Sequence, residues 1–450
     1  MDVSTVLSPL VTWVVIIISA LYIIYRYVTA SFNYFSDQGI PGPRPIPIFG
    51  NMWGIWRENL PEHDVKLVKK YGKIFGYYDG SKPNLWITDV DLIKAVCIKD
   101  FDHFVDRRSV NLTIKVMRKW MILMKGQGWR DIRSSVTPAF TPSKIKLRRY
   151  CRVRIENCFL SVHFFISEYL FTVVFPNFLS TFGSLGEKLY VIDDFKFIFR
   201  LLENVILERS QSKKKYNDFI EIANESISEF KKEIDSKTST LFMLAAFDTT
   251  STTLTNTCFQ LARNPDIQEK LYDIGEVSHD MVQDMPYLEM VIQEVLRLYP
   301  PLLRVERQCT KDYSYDNGRI HFKKGQLVTV PAYALHRMEE YYPDPEKFDP
   351  DRWSPENKAK RSPYTFMAFG LGPRNCVGMR FAMEEMKIAI ATMIQKFRFF
   401  PVKETPLRFF DGFCILLQHF DATVGVELRQ SIPTDRYDLL LHLRRRIFKN

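Results

Sequence analysis

One cysteine lies in a glycine-rich segment that is suited to hold a metal-bound thiolate. Residues 369–378 read FGLGPRNCVG, which sets Cys376 among three glycines and one arginine just before a helical pattern. Glycines let backbone N–H groups approach the sulfur, and a helix that begins near Gly378 adds the positive end of its dipole. A thiolate on haem iron pushes electron density toward bound oxygen. The segment therefore indicates oxygen activation.

A second candidate feature is an acid–base pair on one helix face. Glu294 and Arg297 lie three residues apart, which places both on the same side of a helix. Such pairs usually lie on a solvated surface, but this helix is otherwise apolar and ends at Pro300. The pattern favours a buried pair that needs further partners, and Arg352 is the candidate third member.

An acid and a hydroxyl lie side by side in an apolar, threonine-rich helix. Asp248 and Thr249 are candidate catalytic residues, because cleaving an O–O bond in a dry pocket consumes protons that such groups can deliver. The alternative is a threonine hydroxyl that bonds its own helix backbone. Taken alone, the pair favours this second interpretation.

A tryptophan and several arginines are candidate partners for buried carboxylates. Trp129 and Arg133 are four residues apart and share a helix face. An indole N–H and several guanidinium groups would neutralise two carboxylates such as haem propionates. The other candidates are Arg107, Arg307 and Arg374. Each arginine, taken singly, is more simply a surface residue.

The composition is that of a large folded protein. The chain has 450 residues, of which 46% are hydrophobic and 14% aromatic, and this excludes a disordered chain. The 35 Phe fit a protein that encloses a flat apolar ligand, although phenylalanine-rich cores without a ligand are commoner. The seven cysteines show no paired framework and no zinc spacing, which favours a reducing compartment. The charge of +10 suits nucleic acid, an anionic membrane or an acidic protein, and composition does not choose among them.

An uncharged N-terminal segment predicts a membrane anchor. Residues 3–25 are long enough to cross a bilayer, and a cleaved signal peptide fits less well because no basic region precedes them. Basic residues follow the segment, beginning with Arg26, so the positive-inside rule places the C-terminal body in the cytoplasm. Alternating prolines in residues 39–47 predict an extended hinge, which either fixes the attitude of the body to the membrane or is a simple linker.

Helical patterns dominate the remaining chain, and strands are sparse. Strands are predicted at 74–78, 84–88 and 326–331 and near the C-terminus. Helices are predicted at 89–98, 127–136, 205–234, 239–263, 285–299 and 380–396. The expected fold class is mainly α with small β-sheets.

Taken together, these residues resemble the cytochrome P450 superfamily. The signature Phe-x-x-Gly-x-Arg-x-Cys-x-Gly is complete from Phe369 to Gly378, and the other three features occur in the family's order. With the anchor and hinge, the match covers most of residues 10–145 and 238–430. The chain is most similar to the microsomal clan that includes the vertebrate drug-metabolising family three. The implied architecture is the cytochrome P450 fold with an N-terminal transmembrane helix.

The resemblance implies haem b, iron protoporphyrin IX, with Cys376 as the proximal iron ligand. The residues implied around the haem are Arg107, Trp129, Arg133, Arg307, Phe369, Arg374 and Gly378. Asp248 and Thr249 would relay protons, with Thr249 nearest the bound dioxygen. Glu294, Arg297 and Arg352 would hold the core near the cysteine loop. Substrate contacts would come from 109–120, from the helix face around Phe242 and Ala246, from 301–304 and from 412–416.

The implied activity is insertion of one oxygen atom of O2 into a lipophilic small molecule. Electrons would come from NADPH through NADPH–cytochrome P450 reductase, and no nucleic acid is expected as a partner. The implied location is the endoplasmic reticulum membrane, crossed once, with the catalytic domain in the cytoplasm. A basic cluster would attract the acidic face of the reductase, or is simply solvated. Its members are Lys119, Lys125, Arg130, Lys144, Lys146, Arg148 and Arg149.

Four segments are predicted along the chain. They are a membrane anchor at 1–28, a proline-rich hinge at 29–50, a haem-thiolate domain at 51–430 and a basic C-terminal extension at 431–450. Compared with the family, the domain is shortened around 147–240 and slightly at 272–277, and Ala246 stands where glycine is usual. Two other functions stay open: a reductase-independent hydroperoxide isomerase on the same fold, and a non-catalytic truncated product, which the short middle favours.

Overall fold

The structure of the protein, a computed structural model, describes residues 3–56, 58–108, 120–140, 204, 236–273, 285–402, 417 and 424–429. Several predicted features lie outside these residues. They are the helix at 205–234, the shortened regions at 147–240 and 272–277 over most of their length, the substrate segments 109–119 and 412–416, the extension 431–450, Lys119, Lys144, Lys146, Arg148 and Arg149.

The N-terminal segment forms one long helix, α1, from Val3–Thr29. Its stretch Val11–Thr29 has a mean hydropathy of 1.9 and is not buried against the rest of the protein. The helix is therefore long and apolar enough to cross a membrane. Arg26 lies in its last turn, as the basic flank in the sequence predicts.

The chain after α1 packs against the body. Phe35 is 3% exposed, and its ring lies 5.4 Å from the ring of Tyr78. The Tyr78 hydroxyl donates to the Phe32 carbonyl at 2.9 Å and accepts from the Phe35 N–H at 3.3 Å. A Cβ on Gly76 would lie 2.3 Å from the Phe35 ring, so a glycine is needed where this ring meets the sheet. The first part of the predicted hinge is thus held in place.

Helices make up most of the described body, and local signals define their ends. The side chain of Asn59 accepts from the Glu62 N–H at 3.0 Å at the start of one helix, and Asp89 caps the next in the same way. The remaining helices are α2 (Leu60–Tyr71), α3 (Val90–Lys94), α4 (Gly126–Val136), α5 (Ser236–Arg263), α6 (Pro265–Tyr272), α7 (Pro286–Leu298), α8 (Ala332–Leu335), α9 (Pro355–Ala359) and α10 (Met379–Lys396).

A four-stranded sheet and two two-stranded sheets account for the strands of the described residues. The strands are β1 (Ile74–Asp79), β2 (Lys82–Ile87), β3 (Val305–Gln308), β4 (Tyr313–Tyr315), β5 (Ile320–Phe322), β6 (Leu327–Val330), β7 (Phe397–Pro401) and β8 (Val424–Leu428). The large sheet has the order β1-β2-β6-β3, with β2 and β6 parallel and the other pairs antiparallel. One row across it runs through Gly76, Leu85, Val328 and Arg307. The predicted class, mainly α with small β-sheets, is confirmed.

Two apolar cores position the parts of the molecule that carry the chemical motifs. One core lies on the sheet and includes Leu85 and Phe104. The other joins α5, α6, α7 and α10 through residues such as Leu261, Val291 and Ile390. The sheet core therefore supports Arg307 on β3, and the helical core supports α10, which begins directly after the cysteine loop.

Replacing Phe35 by alanine should lower the free energy of unfolding by about 3–5 kcal/mol, because the ring is buried against Tyr78 and Gly76. Urea unfolding of the full chain, followed by circular dichroism, measures this loss. Ile46→Ala is the control, because Ile46 is 46% exposed and should change stability little. Equal effects of the two substitutions would show that the segment after α1 is not packed on the sheet.

Candidate functional site

Backbone contacts hold Cys376 in the loop before α10. The Cys376 N–H donates to the Phe369 carbonyl at 2.8 Å, and the Asn375 N–H donates to the Gly372 carbonyl at 3.0 Å. Gly378 is the residue before the first turn of α10, and its N–H donates to the Cys376 sulfur. The Cys376 side chain is exposed. The Cys376 sulfur thus accepts a backbone hydrogen bond on one side and is accessible on another.

The surroundings of the Cys376 sulfur act on its pKa in opposite directions. Neighbouring protein atoms displace water, and this desolvation, the largest effect, raises the pKa of the thiol. The Gly378 N–H, Arg133 and Arg107 each lower the pKa by favouring the thiolate. A metal ion bound on the open side would deprotonate the thiol outright. The arrangement is that of a metal ligand with donors already in place.

Two glycines shape the loop for different reasons. Gly370 and Gly372 have φ of 69° and 70°, which side chains rarely adopt. A Cβ on Gly372 would lie 1.8 Å from the Cys97 carbonyl oxygen, whereas the nearest atom to a Cβ on Gly370 would be the Asn375 Cα at 3.7 Å. Gly372 is therefore fixed by a close backbone approach as well as by its φ.

The predicted arginines Arg107 and Arg307 lie next to each other because a short chain segment pairs with β3. Asp106 forms an isolated antiparallel bridge with Gln308, and the Gln308 N–H donates to the Asp106 carbonyl at 2.7 Å. Arg307 is 1% exposed and its Nη2 donates to the Leu371 carbonyl at 3.3 Å. This contact connects β3 with the cysteine loop.

Arg374 joins this cluster from the cysteine loop. Its Nε donates to the Val105 carbonyl at 2.8 Å, and its Nη2 donates to the Met124 carbonyl at 2.6 Å. Its guanidinium carbon lies 4.2 Å from the centre of the buried Trp129 ring. The Arg107 Nη2 donates to the Arg374 carbonyl at 3.4 Å. Trp129 therefore supports an arginine of the cluster through its ring.

The three arginines carry more positive charge than the described carboxylates around them balance. Burial, followed by repulsion from the neighbouring arginines, lowers the pKa of Arg107 to about 10 and that of Arg374 to about 9. The Nε atoms of Arg107 and Arg307 are buried and have no hydrogen-bond partner among the residues that the structure describes. Asp106 is 3.9 Å from Arg374 and already accepts from the Gly126 N–H at 2.8 Å.

The nearby carboxylate of Glu306 on β3 is paired with another arginine, Arg108. Both carboxylate oxygens of Glu306 accept from Arg108, at 2.6 and 2.9 Å, and the same guanidinium binds Asp79 at 2.6 Å. Its charge is therefore shared with a cation outside the cluster. Buried cations with so little compensation are suited to bind an anionic group with two carboxylates.

Arg133 contacts the cysteine loop. Its Nη1 donates to the Asn375 carbonyl at 2.9 Å, and its Nη2 donates to the Asn375 side-chain oxygen at 2.8 Å. The sequence predicts Arg133 as a haem neighbour, and the structure adds that α4 is bound to the loop through it. Asn375 was not predicted, although its place between Arg374 and Cys376 puts it within reach of any side chain that covers the cysteine.

The predicted buried pair on α7 is present and has the partners that such a pair needs. Arg297 donates from Nε and Nη2 to both carboxylate oxygens of Glu294 at 2.8 Å, and both side chains are 0% exposed. Glu294 lies 3.4 Å from the Nε of Arg352 and accepts from the Trp353 indole N–H at 2.9 Å. Trp353 was missed, although it directly follows Arg352 and its N–H needs an acceptor when buried.

On α5, Thr249 uses its hydroxyl hydrogen within its own helix. It donates to the Ala245 carbonyl at 2.6 Å, as the alternative interpretation of this residue predicts. The oxygen keeps its lone pairs and can still accept a hydrogen bond. Burial raises the pKa of Asp248, whose carboxylate has no hydrogen bond or ion pair with the part of the chain that the structure describes. Asp248 is thus suited to hold a proton.

The predicted substrate contacts are only partly described. Ala246 is exposed on α5, and nothing is described of the Phe242 side chain. Arg304 binds Asp64 through Nε at 2.7 Å and lies over the Trp86 ring at 4.4 Å. Its guanidinium is therefore occupied by the core.

Comparison with known proteins identifies the family. The family model described as Cytochrome P450 matches residues 40–163 and 155–421. The chain belongs to the cytochrome P450 family. The two matches meet at 155–163, within the region that the sequence predicts to be shortened. The predicted fold and the resemblance to this superfamily are confirmed.

Relatives are similar over nearly the whole chain. Cytochrome P450 3A14 of Cavia porcellus is 34% identical over 472 residues, covering 88% of this chain and 93% of the relative. Cytochrome P450 3A11 of Mus musculus is 34% identical, covering 90% and 94%, and cytochrome P450 3A5 of Homo sapiens is 32% identical, covering 88% and 92%. The first alignment is longer than the 450-residue chain, so the relative has residues without a counterpart here.

The P450 family relationship defines the chemistry of the protein. It is a haem-thiolate monooxygenase that uses haem b, O2 and electrons derived from NADPH. The residues described above fit this cofactor. The Cys376 sulfur matches the thiolate ligand, and the undercompensated arginines match two propionates.

Gly372→Ala should lower the haem bound per protein at least tenfold, because a Cβ meets the Cys97 backbone and displaces the cysteine loop. The haem content of the purified full chain, measured by absorbance, checks this. Gly370→Ala is the matched control with the same φ and more space, and costs only about 1–2 kcal/mol of backbone strain. Equal haem contents in the two variants would contradict the account of the loop.

Proposed function

We propose that Cys376 is the proximal iron ligand of this monooxygenase and that Arg107, Arg307 and Arg374 bind the haem propionates. The observation that carries this proposal is a cluster of buried, undercompensated cations next to a loop that directs an N–H to an open cysteine sulfur. Propionates would supply the missing charge to the two Nε atoms that have no partner within the described part of the chain.

The remaining haem-site residues have supporting roles in this proposal. Trp129 holds the Arg374 guanidinium over its ring. Arg133 fixes Asn375 and lowers the pKa of the adjacent sulfur. The Phe369 carbonyl closes the loop, and Gly378 donates to the sulfur because its N–H lies at the start of α10.

Asp248 and Thr249 handle protons in the proposed mechanism. The bound haem supplies the centre at which dioxygen is activated. Asp248 holds a proton because burial disfavours its charged form. The Thr249 hydroxyl donates its own hydrogen to the Ala245 carbonyl, and its oxygen accepts a hydrogen bond from a proton donor. Thr249 therefore orients the proton donor and does not itself give up a proton in the first step.

The electron partner is NADPH–cytochrome P450 reductase, docked on the side of α4. This helix covers the cysteine loop through Arg133. Two members of the predicted basic cluster are described there, and both are exposed. Lys125 donates to Gln308 at 3.1 Å, and Arg130 pairs with Asp102 at 2.7 Å. An acidic partner would compete for these surface contacts, which are weak in water.

The protein is anchored in the endoplasmic reticulum membrane by α1, with the catalytic domain in the cytoplasm. The length and hydropathy of Val11–Thr29 support the anchor, and the position of Arg26 in the last turn of α1 supports this orientation. The anchor at 1–28, the hinge at 29–50, the domain at 51–430 and the extension at 431–450 remain the proposed division of the chain. The lipophilic substrate would reach the domain from the bilayer or the cytosol.

Reconstitution with reductase, NADPH and O2 tests the function. The full chain in lipid vesicles should oxidise a lipophilic substrate only when NADPH and reductase are both present. Turnover of a fatty-acid hydroperoxide without NADPH would instead support the isomerase alternative, which needs neither Asp248 nor Thr249 for dioxygen activation.

In Thr249→Val, about tenfold more of the electrons from NADPH should end in peroxide rather than in product. The reason is that valine has no oxygen to accept a hydrogen bond from a proton donor. Product and peroxide formed per NADPH in the reconstituted system measure this. Thr255→Val is the control, because Thr255 is exposed on the same helix. Unchanged coupling in Thr249→Val would remove Thr249 from the mechanism.

A further inference from the structure

A buried histidine lies between the Glu294–Arg297 pair and the segment that leads into the cysteine loop. His336 directly follows α8 and is 0% exposed. Its Nδ1 is 3.0 Å from the Arg297 carbonyl, and its Nε2 is 2.8 Å from the Met367 backbone nitrogen. In return, Arg297 donates from Nη1 to the His336 carbonyl at 2.9 Å. The histidine thus touches both parts of the molecule.

These contacts fix the proton of the ring. The Met367 N–H can only donate, so Nε2 accepts and carries no hydrogen. The Arg297 carbonyl can only accept, so Nδ1 carries the hydrogen and donates it. A protonated ring would present an N–H to the Met367 N–H. The bridge therefore requires the neutral imidazole.

Charged and aromatic neighbours keep the ring neutral and oriented. Burial, followed by the charge of Arg297, lowers the pKa of His336 from 6.5 to about 3, and Arg337 and Arg361 act in the same direction. The Phe366 ring stacks on the imidazole with a centroid distance of 5.4 Å and an angle of 19°. Tyr342 lies edge-on at 6.2 Å, and Arg337 is paired with Glu346 at 2.9 Å.

The Met367 backbone continues the connection toward the sulfur. Its carbonyl accepts from the Gly370 N–H at 2.9 Å, at the first bend of the cysteine loop. The Phe369 carbonyl, two residues after Met367, accepts from the Cys376 N–H at 2.8 Å. Few hydrogen bonds therefore separate the imidazole from the backbone of the proposed iron ligand.

We propose that His336 is a positioning residue for the cysteine ligand: it fixes Met367 against Arg297 and so sets where the loop holds Cys376. This inference rests on the proposed role of Cys376. The neutral imidazole is suited to the task because it offers one donor and one acceptor on opposite sides of a flat ring that also packs on Phe366. Glutamine has the same two functions on a flexible stem and should replace it in part.

The test compares three variants of the haem-loaded full chain. His336→Phe keeps an aromatic ring but leaves the Arg297 carbonyl and the Met367 N–H without partners. His336→Gln keeps a donor and an acceptor. His321→Gln is the control, because His321 is exposed on β5. The readouts are the fraction of the reduced carbon monoxide complex with thiolate-type absorption, and global unfolding by circular dichroism.

The expected result is a loss of thiolate ligation that precedes unfolding. His336→Phe should lose the thiolate-type fraction at least fivefold faster than wild type on warming, at temperatures where circular dichroism still shows folded protein. The rate of thiolate loss in His336→Gln should lie between those of wild type and His336→Phe, and the rate in His321→Gln should match that of wild type. If thiolate loss and unfolding shift together in His336→Phe, the residue is only structural and the proposal is wrong.

Acid sensitivity gives a second measurement if His336→Phe does not fold. Because the folded pKa lies below 6.5, the unfolded chain takes up a proton that folded His336 does not, so stability is full above pH 6.5 and falls as the pH drops toward 3. For each pH unit below 6.5, the rate of thiolate loss should therefore rise by up to about tenfold more in wild type than in His336→Gln. Equal acid dependence in the two proteins would overturn the proposal.

These outcomes are distinct from failure of the proposed function. If wild type itself shows no thiolate-type spectrum, Cys376 is not the ligand and the function fails. If wild type shows that spectrum and His336→Phe keeps it as long as wild type does on warming, only the role of His336 is wrong.

Discussion

A cysteine sulfur that must be an anion inside a protein needs positive electrostatic potential, and the described structure is arranged around that need. Burial alone raises the pKa of the Cys376 thiol. The Gly378 N–H at the start of α10 and the charges of Arg133 and Arg107 oppose this. The same arginine cluster that surrounds the loop is short of negative charge. A single group with a cation at its centre and carboxylates at its edge would stabilise the thiolate and also balance the charge of the arginines.

The position of the loop depends on contacts that are far apart in sequence. Gly372 lies against the Cys97 carbonyl, where a Cβ would clash with the backbone. Arg307 reaches the loop from β3, and Arg133 reaches it from α4. The buried Glu294–Arg297 pair is connected to the loop segment through His336, and breaking such a pair typically costs about 3–5 kcal/mol. Sheet, helices and loop thus depend on one another.

The sequence predicts the cysteine loop, the acid–threonine pair and the α7 pair, because each depends on short spacings within one element. It does not predict that Arg133 binds Asn375 or that Arg304 binds Asp64, because those contacts join residues more than 200 positions apart. Trp353 and His336 contact residues that are nearer in sequence, at 59 positions for Glu294 and 39 for Arg297, but they were also missed because no short spacing within one element marks these contacts. Prolines indicated a hinge, but the packing of Phe35 on Tyr78 depends on the folded sheet.

The carbon monoxide difference spectrum of the reduced protein tests the central claim most directly. Wild type should show the thiolate-type spectrum, and Cys376→Ala should lose it. Cys258→Ala, a change at another free cysteine that lies on α5, should keep it. A Cys376→Ala protein that still gives the thiolate-type spectrum would contradict the assignment of the iron ligand and the account of the loop that rests on it.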